Sequence, residues 1–225
     1  MSWITQTLTS TIGRKLVMAL TGLFLVSFLF VHLSGNLLMF RGDGGQAFNE
    51  YSHFMSTAGI IRVLEIVLVL GVVIHVYTSV VLTRRNQKAR PQAYAYNNPS
   101  ANSSWFSRNM GLSGSIVLIF LITHIQNFWY RYKFGDPGID QWGNKDMYNL
   151  VVTVFRQEWW LSILYIIAMV LLSFHLMHGF QSGFQSLGIR HTKYTPLIQK
   201  IGLVIAILFP AAFAAFPLYF LLSGL

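Results

Sequence analysis

Residues 15–39 read KLVMALTGLFLVSFLFVHLSGNLLM. After Lys15 no Asp, Glu, Lys or Arg occurs until Arg41. A helix needs about 20 apolar residues to cross roughly 30 Å of hydrocarbon. The stretch is too long for a signal peptide and lacks a small-residue cleavage site, so it reads as a membrane span. One residue in it is out of place. His32 is ionisable, and such a side chain in hydrocarbon is costly, so it faces the bundle interior and finds a partner.

The same criterion picks out four further spans, near 60–83, 110–131, 159–183 and 199–222. Three of them also carry a deep histidine: His75, His124 and His175. Hydrophobic residues make up 54% of the 225-residue chain and charged ones only 10%, which excludes an ordinary soluble domain. The expected fold is all-α, an integral membrane bundle of five transmembrane helices forming one domain over 1–225. Cysteine is absent, which excludes an iron–sulfur cluster, a covalently attached haem and any disulfide within this chain.

The net charge of +9 is unevenly spread. The connections between spans one and two and between spans three and four, with the span ends beside them, hold six of the 16 basic residues and all seven acidic ones. Arg14, Lys15, Arg84, Arg85, Lys88, Arg90, Arg108, Arg190, Lys193 and Lys200 lie on the other side, with no acid among them. Lys and Arg are retained on the cytoplasmic side. The amino terminus is therefore expected inside and the carboxyl terminus outside. Apolar spans divide the basic residues, so no nucleic-acid-binding stripe is expected. Residues 41–58 read as an outer loop opening with Gly42, Gly44 and Gly45, and 146–160 as an amphipathic helix along the interface. The inner connection 84–109, with Pro91 and Pro99, reads as a surface for a cytoplasmic partner.

A helical rise of 1.5 Å per residue gives each histidine a depth. His32 lies about 27 Å and His124 about 24 Å from the inner surface, both near the outer edge. His75 lies only about 13 Å from the inner surface, and His175 about 24 Å below the outer edge. The four sort into an outer pair, His32 with His124, and an inner pair, His75 with His175. Two His–His pairs in a helical bundle are what two bis-histidine haems need. Gly71 and Gly179 stand one turn from His75 and His175, where a glycine would leave room for a flat macrocycle. Ring nitrogens turned away from a metal need acceptors, such as backbone carbonyls one turn earlier or the hydroxyls of Thr78 and Ser27. His178, one turn beyond His175, is a rival ligand or a contact to a haem propionate. A bare zinc or copper ion would need three or four ligands in one place.

The chain resembles the five-helix, dihaem cytochrome b membrane-anchor subunit of succinate:quinone oxidoreductases and quinol:fumarate reductases (complex II), especially the single-chain type that works with menaquinone. The likeness is carried by Ile12-Gly13-Arg14-Lys15, by His32-Leu33-Ser34-Gly35-Asn36, and by His75 nine residues before a basic pair. It is carried further by His124 in span three and by Phe174-His175-x-x-x-Gly179 in span four. It implies two haem b groups, menaquinone, and two partners: a flavoprotein subunit that oxidises succinate and an iron–sulfur subunit. It implies a bacterial cytoplasmic (inner) membrane location and allows a higher oligomer of the complex. Ser173 stands where some fumarate reductases of this type carry a glutamate implicated in transmembrane proton movement, so the chain departs from the family pattern there.

Glu50 matches, by position, a family carboxylate on the outer side near the quinone, and is the candidate for quinone protonation. Arg14, Lys15, Arg41 and Arg131 are candidates to pair haem propionates, against the alternative that they meet lipid phosphate. Two other classes fit the histidines. One is a dihaem b anchor of a hydrogenase, a formate dehydrogenase or a b561-like reductase. The other is a proton-coupled transporter with histidine relays, which would absorb no light as haem does.

Overall fold

A computed structural model of the chain describes residues 2–89 and 98–223; Arg90 and Pro91 lie outside the described residues. Among these residues the chain is helical, with no strand, only an isolated bridge between Ile139 and Lys145. Five helical segments are long and apolar enough to cross a membrane: Thr11–Phe40, Gly59–Lys88, Met110–Phe134, Trp159–Ser186 and Thr195–Leu222. Each expected span is present, extended by up to five residues at one or both ends.

In chain order, α1 (Trp3–Thr9) precedes α2 (Thr11–Asn36), the core of span one, which ends in a 3-10 turn at Leu37–Phe40. Ser10 separates α1 from α2: its N–H donates to Gln6 O, and its side chain accepts from Gly13 N at 2.9 Å. A Cβ on Gly13 would strike the Thr7 carbonyl, so this tight fold-back admits only glycine. The expected outer loop 41–58 is instead mostly a helix, α3 (Gln46–Thr57), and α4 (Gly59–Lys88) is span two. Both oxygens of Asp43 accept backbone N–H groups, from Gly45 and Ala47, at the start of α3. That capping is why the glycine run starts a helix and does not continue as loop.

The connection between spans two and three carries the short turns α5 (Pro99–Asn102) and α6 (Trp105–Arg108). Span three is α7 (Met110–His124), a π-helical segment Ile125–Tyr130, and α8 (Arg131–Phe134). The amphipathic helix expected over 146–160 is α9 (Met147–Gln157), burying Val151, Val152, Val154 and Phe155. Spans four and five are α10 (Trp159–Ser186) and α11 (Thr195–Leu222), and α11 runs through Pro210 and Pro217 as one continuous helix.

Packing is uneven. α2 packs on α4 and on α10, while α10 packs on α7 and most extensively on α11. Four spans thus form a partial ring in the order α4, α2, α10, α7, with α11 outside on α10. The side between α7 and α4 is not closely packed. In the most apolar stretch of spans four and five 33% of residues are buried, against 11% in spans one to three. Both ends differ in charge: all seven acidic residues lie at one end, and the basic rim Arg84, Arg85, Lys88, Arg108, Arg190, Lys193 and Lys200 at the other.

The acidic end is closed by a polar lock. The Asn49 side chain of α3 is 1% exposed. Its amide nitrogen donates to Asp140 and to Asp146, each at 3.0 Å, and its oxygen accepts from Tyr148 N at 2.8 Å. Beneath this lock Met39, Phe48, Phe128, Phe155, Tyr165, Phe216 and Phe220 form one continuous apolar core.

Candidate functional site

The expected pairs come together. The His32 and His124 ring centroids lie 5.7 Å apart with planes at 86°. Those of His75 and His175 lie 6.4 Å apart at 67°. Neither pair joins helices that pack closely: α2 has no extensive contact with α7, nor α4 with α10. The pairs are the two diagonals of the helix ring. His178 forms no ring pair with another histidine, so the geometry favours His175 as the partner of His75.

The two diagonals cross at different heights. A Cβ on Gly22 would lie 3.2 Å from the His75 ring, and one on Gly114 3.4 Å from the His175 ring. Gly22 precedes His32 by ten residues and Gly114 precedes His124 by ten. At 1.5 Å per residue the pairs are therefore about 15 Å apart along the helices. The depths read from sequence had the same order and a similar gap.

The surroundings differ between the pair toward the acidic end, called outer here, and the pair toward the basic end, called inner. His32 stacks on Phe28 at 5.3 Å and leans on Phe213 at 5.5 Å. His124 meets Phe120, Phe128 and Tyr165 at 5.5, 5.4 and 5.9 Å. The inner pair has no such wall; Gly22 and Gly114 lie close against its rings. Immediately after His124 the π-helical turn begins. Such bulges recur at functional sites, because the inserted residue re-aims the side chains around it.

One imidazole is locked by a hydrogen bond. The Thr21 hydroxyl donates to Val17 O at 2.8 Å, which leaves its oxygen to accept from His75 Nδ1–H at 3.2 Å. With the proton on Nδ1, Nε2 of His75 carries the bare lone pair. Sequence reasoning named Thr78 and Ser27 for such a role. Ser27 bonds its own helix at Phe24 O, and Thr21 succeeds because it faces His75 from the neighbouring helix. Gly71 also needs correction. The Phe24 ring would lie 3.0 Å from a Cβ there, so Gly71 accommodates a phenylalanine. Gly179 is more open, its nearest neighbour being the tip of Met110 at 4.0 Å.

The candidate charges lie away from the pairs or are engaged elsewhere. Arg14 donates to Thr9 O at 3.1 Å, Arg41 approaches Asp43 at 3.9 Å, and Arg131 approaches Glu158 at 3.8 Å. Lys15 is exposed. Glu50 is exposed on α3 and accepts from Gln46 at 2.8 Å. A cluster that sequence reading missed ties the open side of the ring at the acidic end. Glu65 of α4 accepts from Trp129 Nε1 at 2.6 Å and from Lys133 Nζ at 2.8 Å, with the Lys133 cation 4.7 Å over the Trp129 ring. Only their helical spacing from His75 and His124, at −10 and at +5 and +9, hinted at it.

The donor sets can be tested against a cofactor. Among the described residues no three or more His, Cys, Asp or Glu gather to hold a metal ion. Each level offers two imidazoles, a set that suits a metal whose other positions are filled by a macrocycle. With metal–nitrogen bonds near 2 Å on both sides, two ring centroids stand about 6 Å apart. The separations of 5.7 and 6.4 Å bracket that value. Nδ1 of His124 and of His175 are buried without a protein partner. These residues fit a bis-histidine haem at each level.

Comparison with protein-family models, with curated proteins and with solved structures finds no match to this chain.

Proposed function

We propose that this chain is the dihaem cytochrome b membrane anchor of a succinate:quinone oxidoreductase or quinol:fumarate reductase, working with menaquinone. The observation that carries the reading is the pair of crossed histidine diagonals, about 15 Å apart in height, between helices that do not otherwise pack. A haem at each level supplies one-electron carriage across the membrane.

The chain's own residues do the rest. His32 with His124, and His75 with His175, hold the two groups. Thr21 keeps the Nδ1 proton of His75 and presents Nε2. The aromatic wall excludes water from the outer pair. The basic rim, free of acidic residues, is the docking face for the iron–sulfur subunit, which the flavoprotein subunit accompanies. This orientation puts the rim and amino terminus in the cytoplasm and the acidic end outside a bacterial inner membrane. Glu50, exposed at that outer end, delivers protons for quinone chemistry from the outside.

The test is a reduced-minus-oxidised spectrum of the purified chain from haem-replete cells, with a haem-to-chain ratio. Two b-type haems per chain are expected, and a colourless preparation rejects the reading. Copurification of a tagged chain with a succinate-oxidising flavoprotein separates this complex from the hydrogenase and formate dehydrogenase anchors.

A further inference from the structure

Two buried polar atoms at the outer level share one unsolved problem. His124 Nδ1 and the Tyr165 hydroxyl both lie buried without a hydrogen-bond partner, though their rings stand 5.9 Å apart. Tyr165 is 5% exposed and boxed by Phe120 at 4.9 Å and Phe155 at 5.3 Å. Leaving such an atom bare forfeits its hydration with nothing in return. A buried water satisfies two to four polar groups around it at once. The Asn127 side chain lies close to the same hydroxyl, short of hydrogen-bond geometry, and supplies a third group.

We propose that Tyr165 is the positioning residue of the outer histidine pair: through one bridging water its hydroxyl accepts the Nδ1–H of His124, leaving Nε2 free to face His32. It does by water what Thr21 does directly for His75. The inner ring sits against a neighbouring helix that carries a hydroxyl at the right height. His124 has phenylalanines there, and the Tyr165 hydroxyl, with Asn127 beside it, breaks the apolar wall. The proton stays on Nδ1 and no bond is made or broken. The acceptor raises the basicity of the imidazole, which favours the oxidised state of a metal held at Nε2.

This inference rests on the dihaem reading for its electrochemical arm only. Tyr165→Phe keeps the ring and removes the hydroxyl. In the purified full-length protein it should raise one of the two haem potentials and leave the other unchanged, with haem content still two per chain. Thr21→Val should move the other potential. Asn127→Leu should shift the same potential as Tyr165→Phe by less. Independently of haem, nitrogen-15 spectra of histidine-labelled protein should show one Nδ1–H imidazole signal that moves in Tyr165→Phe. Unchanged potentials together with an unmoved signal overturn the proposal. A colourless wild type rejects the haem reading instead, and the nitrogen-15 signal then decides this inference alone.

Discussion

The outer and inner histidine pairs are built from different materials. The outer one is enclosed by aromatic rings and roofed by α3, α9 and the Asn49 lock, which share a continuous core with it. The inner one leans on glycine backbone and one threonine hydroxyl, and the buried core at its depth is smaller, formed by Val26, Leu176, Phe180, Ile205 and Ala206. The contrast teaches that equal ligands do not make equal sites. An aromatic wall holds a ring by shape and keeps water out. A glycine cradle holds it by close approach and leaves the space beside it to whatever the ring binds.

The largest effect should come from the ligands themselves. His124→Leu should remove the outer chromophore and spare the inner, and His75→Leu the reverse, each halving the haem-to-chain ratio. Loss of both on either substitution would show that the two levels assemble as one unit and would break the comparison. Next come the cradles. Gly22→Leu and Gly114→Leu press directly on the His75 and His175 rings, where even a Cβ lies at 3.2 and 3.4 Å. Each should abolish the inner chromophore alone. Gly71→Ala meets Phe24 instead, and should cost about 1–3 kcal/mol of stability without changing the spectrum.

Thr21→Val is smaller in scale. It keeps the side-chain shape and strands His75 Nδ1–H, and loss of such an outer partner lowers metal affinity roughly 10- to 100-fold. Titrating haem out of the inner level with a competing haem-binding protein measures it. An affinity equal to that of the wild type would show that the hydrogen bond at 3.2 Å does not orient the ring.

The sequence made the spans and the diagonals legible because both depend on one-dimensional quantities. Hydropathy over about 20 residues locates a span, and rise per residue places a histidine in depth. What stayed hidden depends on the rotation of one helix against another. Thr21, Gly22 and Gly114 touch histidines on other helices, and nothing in their own segments says so. Gly71 was misread for the same reason, since the chain does not declare that Phe24 turns toward it. The helix α3 was hidden by the three glycines before it, and its capping by Asp43 appears only once the turn is closed. Glu65, Trp129 and Lys133 lie 64 and 68 residues apart, and the π-helical turn that aims Trp129 has no period to read.

The smallest effect concerns the roof of the outer level and follows from one carboxylate. Burial by itself would raise the Asp140 pKa. Bonds from Asn144, from the Asn49 amide and from Trp142 N outweigh burial and hold it below the ordinary aspartate value. A depressed carboxylate stabilises the fold above its unfolded value, near 4, and that contribution fades as pH falls through the lower folded value. Acidification should therefore loosen the Asn49 lock below about pH 4. Hydrogen exchange at pH 3 and pH 7 reads this directly. Once exchange is corrected for its slower intrinsic rate at low pH, amides of α3 and of residues 139–149 should lose protection at pH 3. Asp140→Asn should imitate the acid state at neutral pH, because its new amide points a donor at the Asn49 amide donor. If the variant protects α3 as well as the wild type does, the roof is held by Asp146 and Tyr148 alone, and the pH dependence of the outer level must come from elsewhere.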